Sequence, residues 1–368
     1  MMNEYEQTNW HRLQHHADCG CKESIDHPSH ARTGIHCFPN KLYVVTTVFN
    51  PLRLPSRYWN YWSFENMVEK SGAILYTAEI AFGDRHFEIT SPDNPAHLQL
   101  RARDNQEIWL KENSLNVLIE RLPSDWEYVA WVDADISFAR PDWAQETMHL
   151  LQHYDFLQMF THAQDYGVNY EPGVMTPGFA YAKLTEDEEK WSTNIVEKYY
   201  YGLVARGKEG KEWHYRHPGF CWAARRSALN KVGGLIDFAI LGSSDWIMAN
   251  ALFGQVDRTI SGGYSEGYKR LCKIWEDRAL RHIRKNVGFM PGTVHHYFHG
   301  EKKARNYDNR WKLLAETKFD PLTDLKKDVQ GIWQLQDHGD DRSIALRDGL
   351  RRYARMRLED TNVGQIVP

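Results

Sequence analysis

The run from Trp126 to Phe138 (Trp-Glu-Tyr-Val-Ala-Trp-Val-Asp-Ala-Asp-Ile-Ser-Phe) limits most sharply what this chain can fold into. A hydrophobic stretch of strand length, Tyr128 to Val132, ends abruptly in two carboxylates, Asp133 and Asp135, with only Ala134 between them. In an open α/β sheet, ligands sit beyond the carboxyl ends of the strands, so acids at that point are presented where a ligand would rest. Two hard oxygen donors with room for water suit Mg²⁺ or Mn²⁺ holding a diphosphate. The same residues also make an ordinary acidic turn, because Asp is a good turn former. The tripeptide alone leaves both readings open.

The surrounding pattern predicts an α/β fold. Lys41 to Asn50 is β-branched and aromatic and stops at Pro51, which marks a first strand. Ser56 can cap a helix whose apolar face would use Trp59, Trp62, Phe64 and Met67. Ala73 to Phe82 reads as a second strand, and Ile108 to Arg121 as a helix turning Ile108, Leu115, Leu118 and Ile119 inward. The acidic strand follows. Pro141 then suits the first turn of a helix running towards Tyr154, with a strand from Asp155 to Phe160 after it. Strands alternating with helices imply parallel pairing in a doubly wound sheet. Residues 161–212, rich in Gly, Tyr and charge, form either an excursion over the site or a decorative insertion. Strong patterning resumes at Pro218 and runs to about Leu314. An Arg-rich amphipathic helix carrying Leu346, Leu350, Tyr353 and Met356 would pack back on the body. The expected organisation is an N-terminal extension over 1–40, a catalytic α/β domain over 41–315 and a C-terminal helical extension over 316–368.

Composition narrows the class. A chain of 368 residues can bury a substantial core, and its net charge of −4 does not make the whole protein a polyanion binder. No apolar run approaches the length of a membrane span, and the first residues lack a basic-then-apolar signal pattern, so a cytoplasmic protein without a membrane span is expected. Five cysteines, an odd count without regular spacing, argue against a secreted disulfide scaffold. Residues 10–37 crowd His11, His15, His16, His27, His30 and His36 together with Cys19, Cys21 and Cys37; the set reads as a structural Zn²⁺ site or as a polar leader.

Three further segments carry candidate chemistry. Gly242-Ser-Ser-Asp245 places an acid after a small, flexible turn and before an apolar helix-like run, where Asp245 acts on a ligand or merely caps the helix. The late segment Val294-His-His-Tyr-Phe-His-Gly-Glu-Lys-Lys303 offers His296 and His299 around an apolar pair, and imidazole added to carboxylates favours Mn²⁺ over Mg²⁺. Trp109-Leu-Lys-Glu-Asn-Ser-Leu-Asn116 puts Lys111 and Asn116 just ahead of the acidic strand, to serve a nucleotide's phosphates and ribose or to decorate a helix.

In this order the pieces resemble the GT-A glycosyltransferases. A first strand enters Thr46-Thr-Val-Phe-Asn50, a Lys-Glu-Asn-x-x-Asn helix precedes Asp-Ala-Asp, and Gly219-Phe-x-x-x-x-Arg-Arg with Val-Gly-Gly-Leu235 leads to Gly-x-x-Asp. The stretch from Pro218 to Asp245 looks like the acceptor side of inverting galactosyl- and N-acetylgalactosaminyl-transferases. His-Tyr-Phe-His-Gly-x-Lys is similar to the metal-histidine and diphosphate-lysine segment of galactosyltransferases and glycogenin-like enzymes. The layout also resembles uncharacterised glycosyltransferases of tailed phages and bacteria, which would place the protein in a host cytoplasm. The resemblance spans about Leu42 to Leu314.

What the resemblance implies is a metal-dependent transfer of a sugar from a nucleotide-sugar, a UDP-sugar in the first instance, to an acceptor hydroxyl with inversion. A divalent ion on Asp133 and Asp135, completed by His296 or His299, would neutralise the diphosphate. Lys302 or Lys303 would add a point charge, Thr47, Phe49, Asn50 and Glu79 would lie against base and ribose, and Asp245 would be the general base. The acceptor is a glycan or, given the excess of basic residues between Tyr268 and Lys312, DNA carrying hydroxymethylated bases; internal ion pairing would explain the same excess. The competing classes are a nucleotidyltransferase or another Asp-metal enzyme acting on a diphosphate, and a carbohydrate- or nucleic-acid-binding protein without chemistry. Phe49-Asn-Pro-Leu-Arg53 lacks the glycines a nucleotidyltransferase loop would carry after strand one.

Overall fold

A computed structural model describes residues 41–185, 216–260, 263–300 and 310–356, with the backbone of 205–206 and 212–213. Its strands are β1 (Leu42–Phe49), β2 (Ile74–Phe82), β3 (His97–Ala102), β4 (Tyr128–Val132), β5 (Ile136–Phe138), β6 (Phe156–Gln158), β7 (His162–Tyr166) and β8 (Pro172–Pro177). The two-residue β9 (Ala205–Arg206) and β10 (Glu212–Trp213) follow. Then come β11 (Cys221–Arg225), β12 (Val287–Phe289), β13 (Thr293–His296), β14 (Leu325–Lys327) and β15 (Trp333–Leu335).

Seven strands build the main sheet in the order β12-β6-β11-β4-β1-β2-β3. Strands β3, β2, β1 and β4 run parallel, as do β6 and β12, while β11 runs antiparallel to both its neighbours. The mixed α/β architecture with a mainly parallel sheet and flanking helices is thus the one the sequence predicts. Alternate residues of β1 and β4 feed two cores. Tyr43, Val45, Val129 and Trp131 face one, and Leu42, Val44, Tyr128, Ala130 and Val132 face the other. That two-sided burial explains why both strands read as continuous apolar runs rather than as alternating ones.

From β1 the chain moves outward to β2 and β3, then returns to place β4 on the opposite side of β1. The order reverses there, so a crevice opens at the carboxyl ends of β1 and β4. Asp133 lies at that mouth.

The helix Pro55–Ser71 starts on a proline and stops at Gly72, whose φ of 78° is the left-handed conformation that favours glycine at a helix end. Its buried face is Tyr61, Phe64 and Val68, while Trp59 and Trp62 stay 44% and 48% exposed. The expectation that both tryptophans face inward is therefore corrected. The Tyr61 hydroxyl bonds Thr77 of β2 at 2.9 Å, which turns the helix by about half a revolution from the face that residue size suggests. Strand β3 has no counterpart in the sequence reading, although Leu98, Leu100 and Ala102 alternate with outward Gln99 and Arg101 as an edge strand should.

A second sheet, β5-β13-β7-β8, stands beside the first. It takes β7 and β8 from the start of the segment read as an excursion; most of 186–215 lies outside the described residues. The C-terminal part is not helical throughout. β14 and β15 form a hairpin between the short helix Pro321–Asp324 and the helix Asp341–Arg355. Phe319, Ile332, Trp333, Leu346 and Leu350 enter the same core as Val45 and Trp131. Asn113 and Gln106 accept the backbone N–H groups of Trp333 and Leu335 at 2.9 and 3.0 Å. Among the described residues no helix is long and apolar enough to cross a membrane.

Candidate active site

Three electron-pair donors converge beyond β4. A carboxylate oxygen of Asp135 and ring nitrogens of His296 and His299 lie within 4.8 Å of one another. His299 Nε2 is 2.9 Å from Asp135 Oδ2 and 3.1 Å from His296 Nε2. Backbone pairing makes the cluster. β13 pairs with β5, and just past it the Tyr297 N–H donates to the Asp135 carbonyl at 2.9 Å, which fastens the histidine segment to the acidic turn.

Asp165 completes the arrangement, and nothing in the sequence singled it out. It is the register partner of His296 across the parallel β13–β7 pair, and its Oδ1 lies 2.7 Å from His296 Nδ1. A carboxylate there accepts the Nδ1 proton, which leaves Nε2 with its lone pair turned towards His299 and Asp135. Burial holds the His296 imidazole below its ordinary range, against the opposing pull of Asp165. A neutral imidazole is the form a metal takes. Phe220, held at a φ of 71°, stacks on His217 at 3.7 Å and leans on His296 at 4.6 Å, so the ring is fixed from the apolar side as well.

The donor set of one carboxylate and two imidazoles fits a divalent transition ion such as Mn²⁺ better than Mg²⁺. The Asp165 bond is the outer support such a site requires. Asp165→Asn is expected to weaken Mn²⁺ binding about 10- to 100-fold with the fold retained. Unchanged Mn²⁺ titrations would detach Asp165 from the site.

Asp133 is not among the converging donors. Its carboxylate pairs with the Lys111 ammonium, from the first turn of the helix Lys111–Ile119. Burial raises the Asp133 carboxyl to about 6, partly offset by Lys111 and reinforced by Asp135. Burial alone would lower Lys111, but Asp133 and Glu112 outweigh it and hold the ammonium firmly protonated. Glu112 is driven up to about 7, chiefly by burial, with Lys111 opposing and Asp245 adding to the rise. Its Oε2 accepts the Trp109 indole N–H at 3.1 Å.

Because the folded state raises the Glu112 carboxyl, its stabilising protonated form is complete below the unfolded value and is lost as pH climbs through about 7. Glu112→Gln should therefore leave stability unchanged near pH 4 and increase it near pH 8, by up to about 3 kcal/mol. Thermal unfolding of both proteins at the two pH values checks this. A variant no more stable at pH 8 than wild type would contradict it.

Asp245 stands in the first turn of the helix Ser244–Leu252, close enough to Lys111, Glu112 and Asp133 to act on their titration. Its Oδ1 accepts the Trp246 N–H at 2.8 Å. The N-cap residue is Ser243, with a φ of 79° and no side-chain capping bond, and Asp245 satisfies a first-turn N–H from within the helix, using one of its two carboxylate oxygens. A Cβ built on Gly219 would lie 2.5 Å from Asp245 Oδ2, so the loop before β11 passes the carboxylate at a distance only glycine permits.

The remaining sequence candidates divide. Thr47, at the end of β1, accepts a hydrogen bond from Ser114 at 2.8 Å, and Phe49 packs on Trp109 with ring centroids 5.4 Å apart. Both line the carboxyl edge. Asn50 closes its own turn instead, bonding both the N–H and the carbonyl of Leu54 at 2.9 Å. Glu79 is buried and accepts from the backbone N–H groups of Glu88, Ile89 and Thr90, which ties down the loop after β2. Asn116 clamps the N–H and carbonyl of Leu235 at 2.9 Å each. The polar atoms of Asn50, Glu79 and Asn116, expected beside ribose and base, are thus engaged with the chain's own backbone. Lys302, Lys303 and the Cys/His-rich segment lie outside the described residues.

No protein-family profile matches the chain, and no curated protein sequence does. Similar solved structures include a protein assigned as a nucleotide-diphospho-sugar transferase from Desulfovibrio desulfuricans G20. It is 12% identical, with 85% of this chain and 97% of that one covered, at a TM-score of 0.29. Another is a mutant β-1,4-galactosyltransferase 7 of Drosophila in complex with manganese, UDP-Gal and xylobiose. It is 13% identical, with 60% of this chain and 63% of that one covered, at a TM-score of 0.28. Likeness at that level decides nothing about this chain, whose chemistry has to be read from its own side chains.

Proposed function

We infer that the protein is a divalent-cation-dependent glycosyltransferase of the GT-A type, moving a sugar from a nucleotide-sugar to an acceptor hydroxyl with inversion. The observation that carries this reading is the convergence of Asp135, His296 and His299 at the switch point of the sheet, beside the Lys111–Asp133 pair and Asp245. Binding alone would not require a metal-type donor set, a half-buried cation and a separate acid around one crevice.

Asp135, His296 and His299 would hold the cation, which when bound supplies positive charge to the diphosphate as the glycosyl bond breaks. Lys111 provides a second, permanently charged contact for the leaving diphosphate, with Asp133 steering its ammonium. Asp245 takes the acceptor's hydroxyl proton as the new C–O bond forms, on the side of the crevice bounded by Gly219. Inversion follows from a single displacement in which base and leaving group act from opposite sides.

A glycan or other small hydroxyl compound is the acceptor this reading favours over DNA. Part of the basic segment is already ion-paired: Lys269 with Glu266, and Lys273 with Asp257 and Glu276. The test is release of nucleoside diphosphate from nucleotide-sugars with Mn²⁺ present. A nucleotidyltransferase would release pyrophosphate, and a binding protein neither product. Absence of nucleoside diphosphate release from every nucleotide-sugar offered, together with no Mn²⁺ binding, would reject the assignment.

A further inference from the structure

The turn that delivers Asp245 has an unusual backbone. Gly242 and Ser243 stand at φ values of 81° and 79°, in the left-handed region that favours glycine. Ser243 is nevertheless the N-cap residue of the helix Ser244–Leu252, and its carbonyl accepts the Ile247 N–H at 3.0 Å. A serine in that position ordinarily takes an extended backbone and turns its hydroxyl to the N–H of the second or third helical residue, which would be Asp245 or Trp246. In this turn the hydroxyl accepts from Arg310 Nη2 instead. The Trp246 N–H is left to Asp245 Oδ1, at 2.8 Å, and the other carboxylate oxygen, Oδ2, faces Gly219.

Arg310 is itself held in place. It opens the helix Arg310–Glu316, and its Nη1 donates to the Tyr353 hydroxyl at 3.3 Å. Tyr353 belongs to the helix Asp341–Arg355, which packs so closely on the shorter helix that a Cβ on Gly349 would overlap Leu313. Gly242 admits the guanidinium: a Cβ there would lie 3.2 Å from Arg310 Nη1 and 3.7 Å from the Trp109 indole. Two packed C-terminal helices thus bring a cation to the turn before the candidate base.

We propose that Arg310 is a positioning residue for Asp245, keeping the Ser243 hydroxyl away from the Trp246 N–H so that the carboxylate retains that bond and presents Oδ2 to the acceptor. The proposal rests on the reading of Asp245 as the general base. Without the guanidinium, Ser243 would relax to the extended backbone of an ordinary cap, and its hydroxyl would compete with Oδ1 for the same N–H. The carboxylate would then lose the bond that orients it, and a misplaced base costs rate even where every reacting group remains. Glycine at position 243 would keep the left-handed turn without steric cost, and it has no hydroxyl to compete.

Arg310→Met, alone and combined with Ser243→Gly, tests this in the full-length protein with Mn²⁺ and the nucleotide-sugar that the diphosphate-release assay selects. Arg310→Met should lower kcat for transfer about 10- to 100-fold, with donor KM and donor hydrolysis unchanged. Its crystal structure should show Ser243 in an extended conformation with Oγ on the Trp246 N–H. Adding Ser243→Gly should restore most of the lost transfer. A merely structural role for Arg310 predicts the opposite, since the second substitution removes a further side chain. Arg310→Ser, polar and too short to reach Ser243, replaces the apolar variant if that one does not fold. Wild-type transfer in the folded Arg310 variant, a parallel loss of donor hydrolysis, or no recovery in the double variant would overturn the proposal, while a slow Asp245→Asn would leave the general base standing. Near wild-type transfer by Asp245→Asn, or no nucleotide-sugar accepted as donor, would remove the base and the role of Arg310 with it.

Discussion

Asp135→Ala is expected to abolish Mn²⁺ binding and to lower nucleotide-sugar turnover by at least about 10³-fold, since a Lewis-acidic ion stabilises the transition-state charge by several kcal/mol. The carboxylate is the only one among the three converging donors, so its loss removes the formal negative charge of the site as well as a ligand. The fold should survive. Asp135 is partly exposed, and its backbone carbonyl, which the Tyr297 N–H bonds, is untouched by the substitution. Circular dichroism and thermal unfolding establish the fold, and Mn²⁺ titration with a turnover assay reads the effect. Full turnover in EDTA, or in Asp135→Ala, would remove the metal from the mechanism. The comparison with Asp133→Ala is informative because Asp133 is paired to Lys111 rather than turned to the cluster. That variant should retain Mn²⁺ affinity to a much greater degree.

Asp245→Asn should keep nucleotide and Mn²⁺ binding while transfer to the acceptor falls by about 10²–10⁴-fold, the usual worth of a general base. The substitution preserves shape, and an amide oxygen still accepts the Trp246 N–H that Oδ1 accepts now. A purely structural acid in the first helical turn contributes about 0.3–1 kcal/mol through the helix dipole, which would appear as a small loss of stability and not as a loss of transfer. An Asn variant with near wild-type transfer would reject the base and take the main support from an inverting mechanism. Measuring donor hydrolysis beside transfer separates the acceptor side from the donor side, because hydrolysis does not require the acceptor hydroxyl.

The candidate site was partly legible before folding, and the division has a physical cause. The acids after β4 and the closely spaced late histidines are local patterns, readable because strand length, turn chemistry and donor type are properties of a few consecutive residues. Asp165 was not legible. It meets His296 only because β7 pairs with β13 across 131 positions of sequence, and a single Asp in a strand edged by polar residues carries no local mark. The backbone roles of Glu79, Asn116 and Asn50 were hidden for the complementary reason. Polar side chains at strand ends and on buried helix faces are also what a fold needs to satisfy loop N–H groups and carbonyls, and sequence does not show which backbone needs them.

By itself, the sequence determined a mixed α/β sheet, with β1, β2 and β4 as strands and an acidic turn at the end of the innermost apolar one. Periodicity and β-branched composition are sufficient for that, because they are imposed residue by residue along the chain. Only the tertiary structure decided that β11 runs antiparallel between β4 and β6, that Tyr61 rather than Trp59 or Trp62 faces the sheet, and that Asp135 joins the histidines while Asp133 turns to Lys111. It also decided that Tyr353 of the C-terminal helix shares a small surface recess with Phe49 and Trp109. Each of these depends on which distant segments share a surface. That choice is made by the burial of two cores at once, and no local pattern contains it.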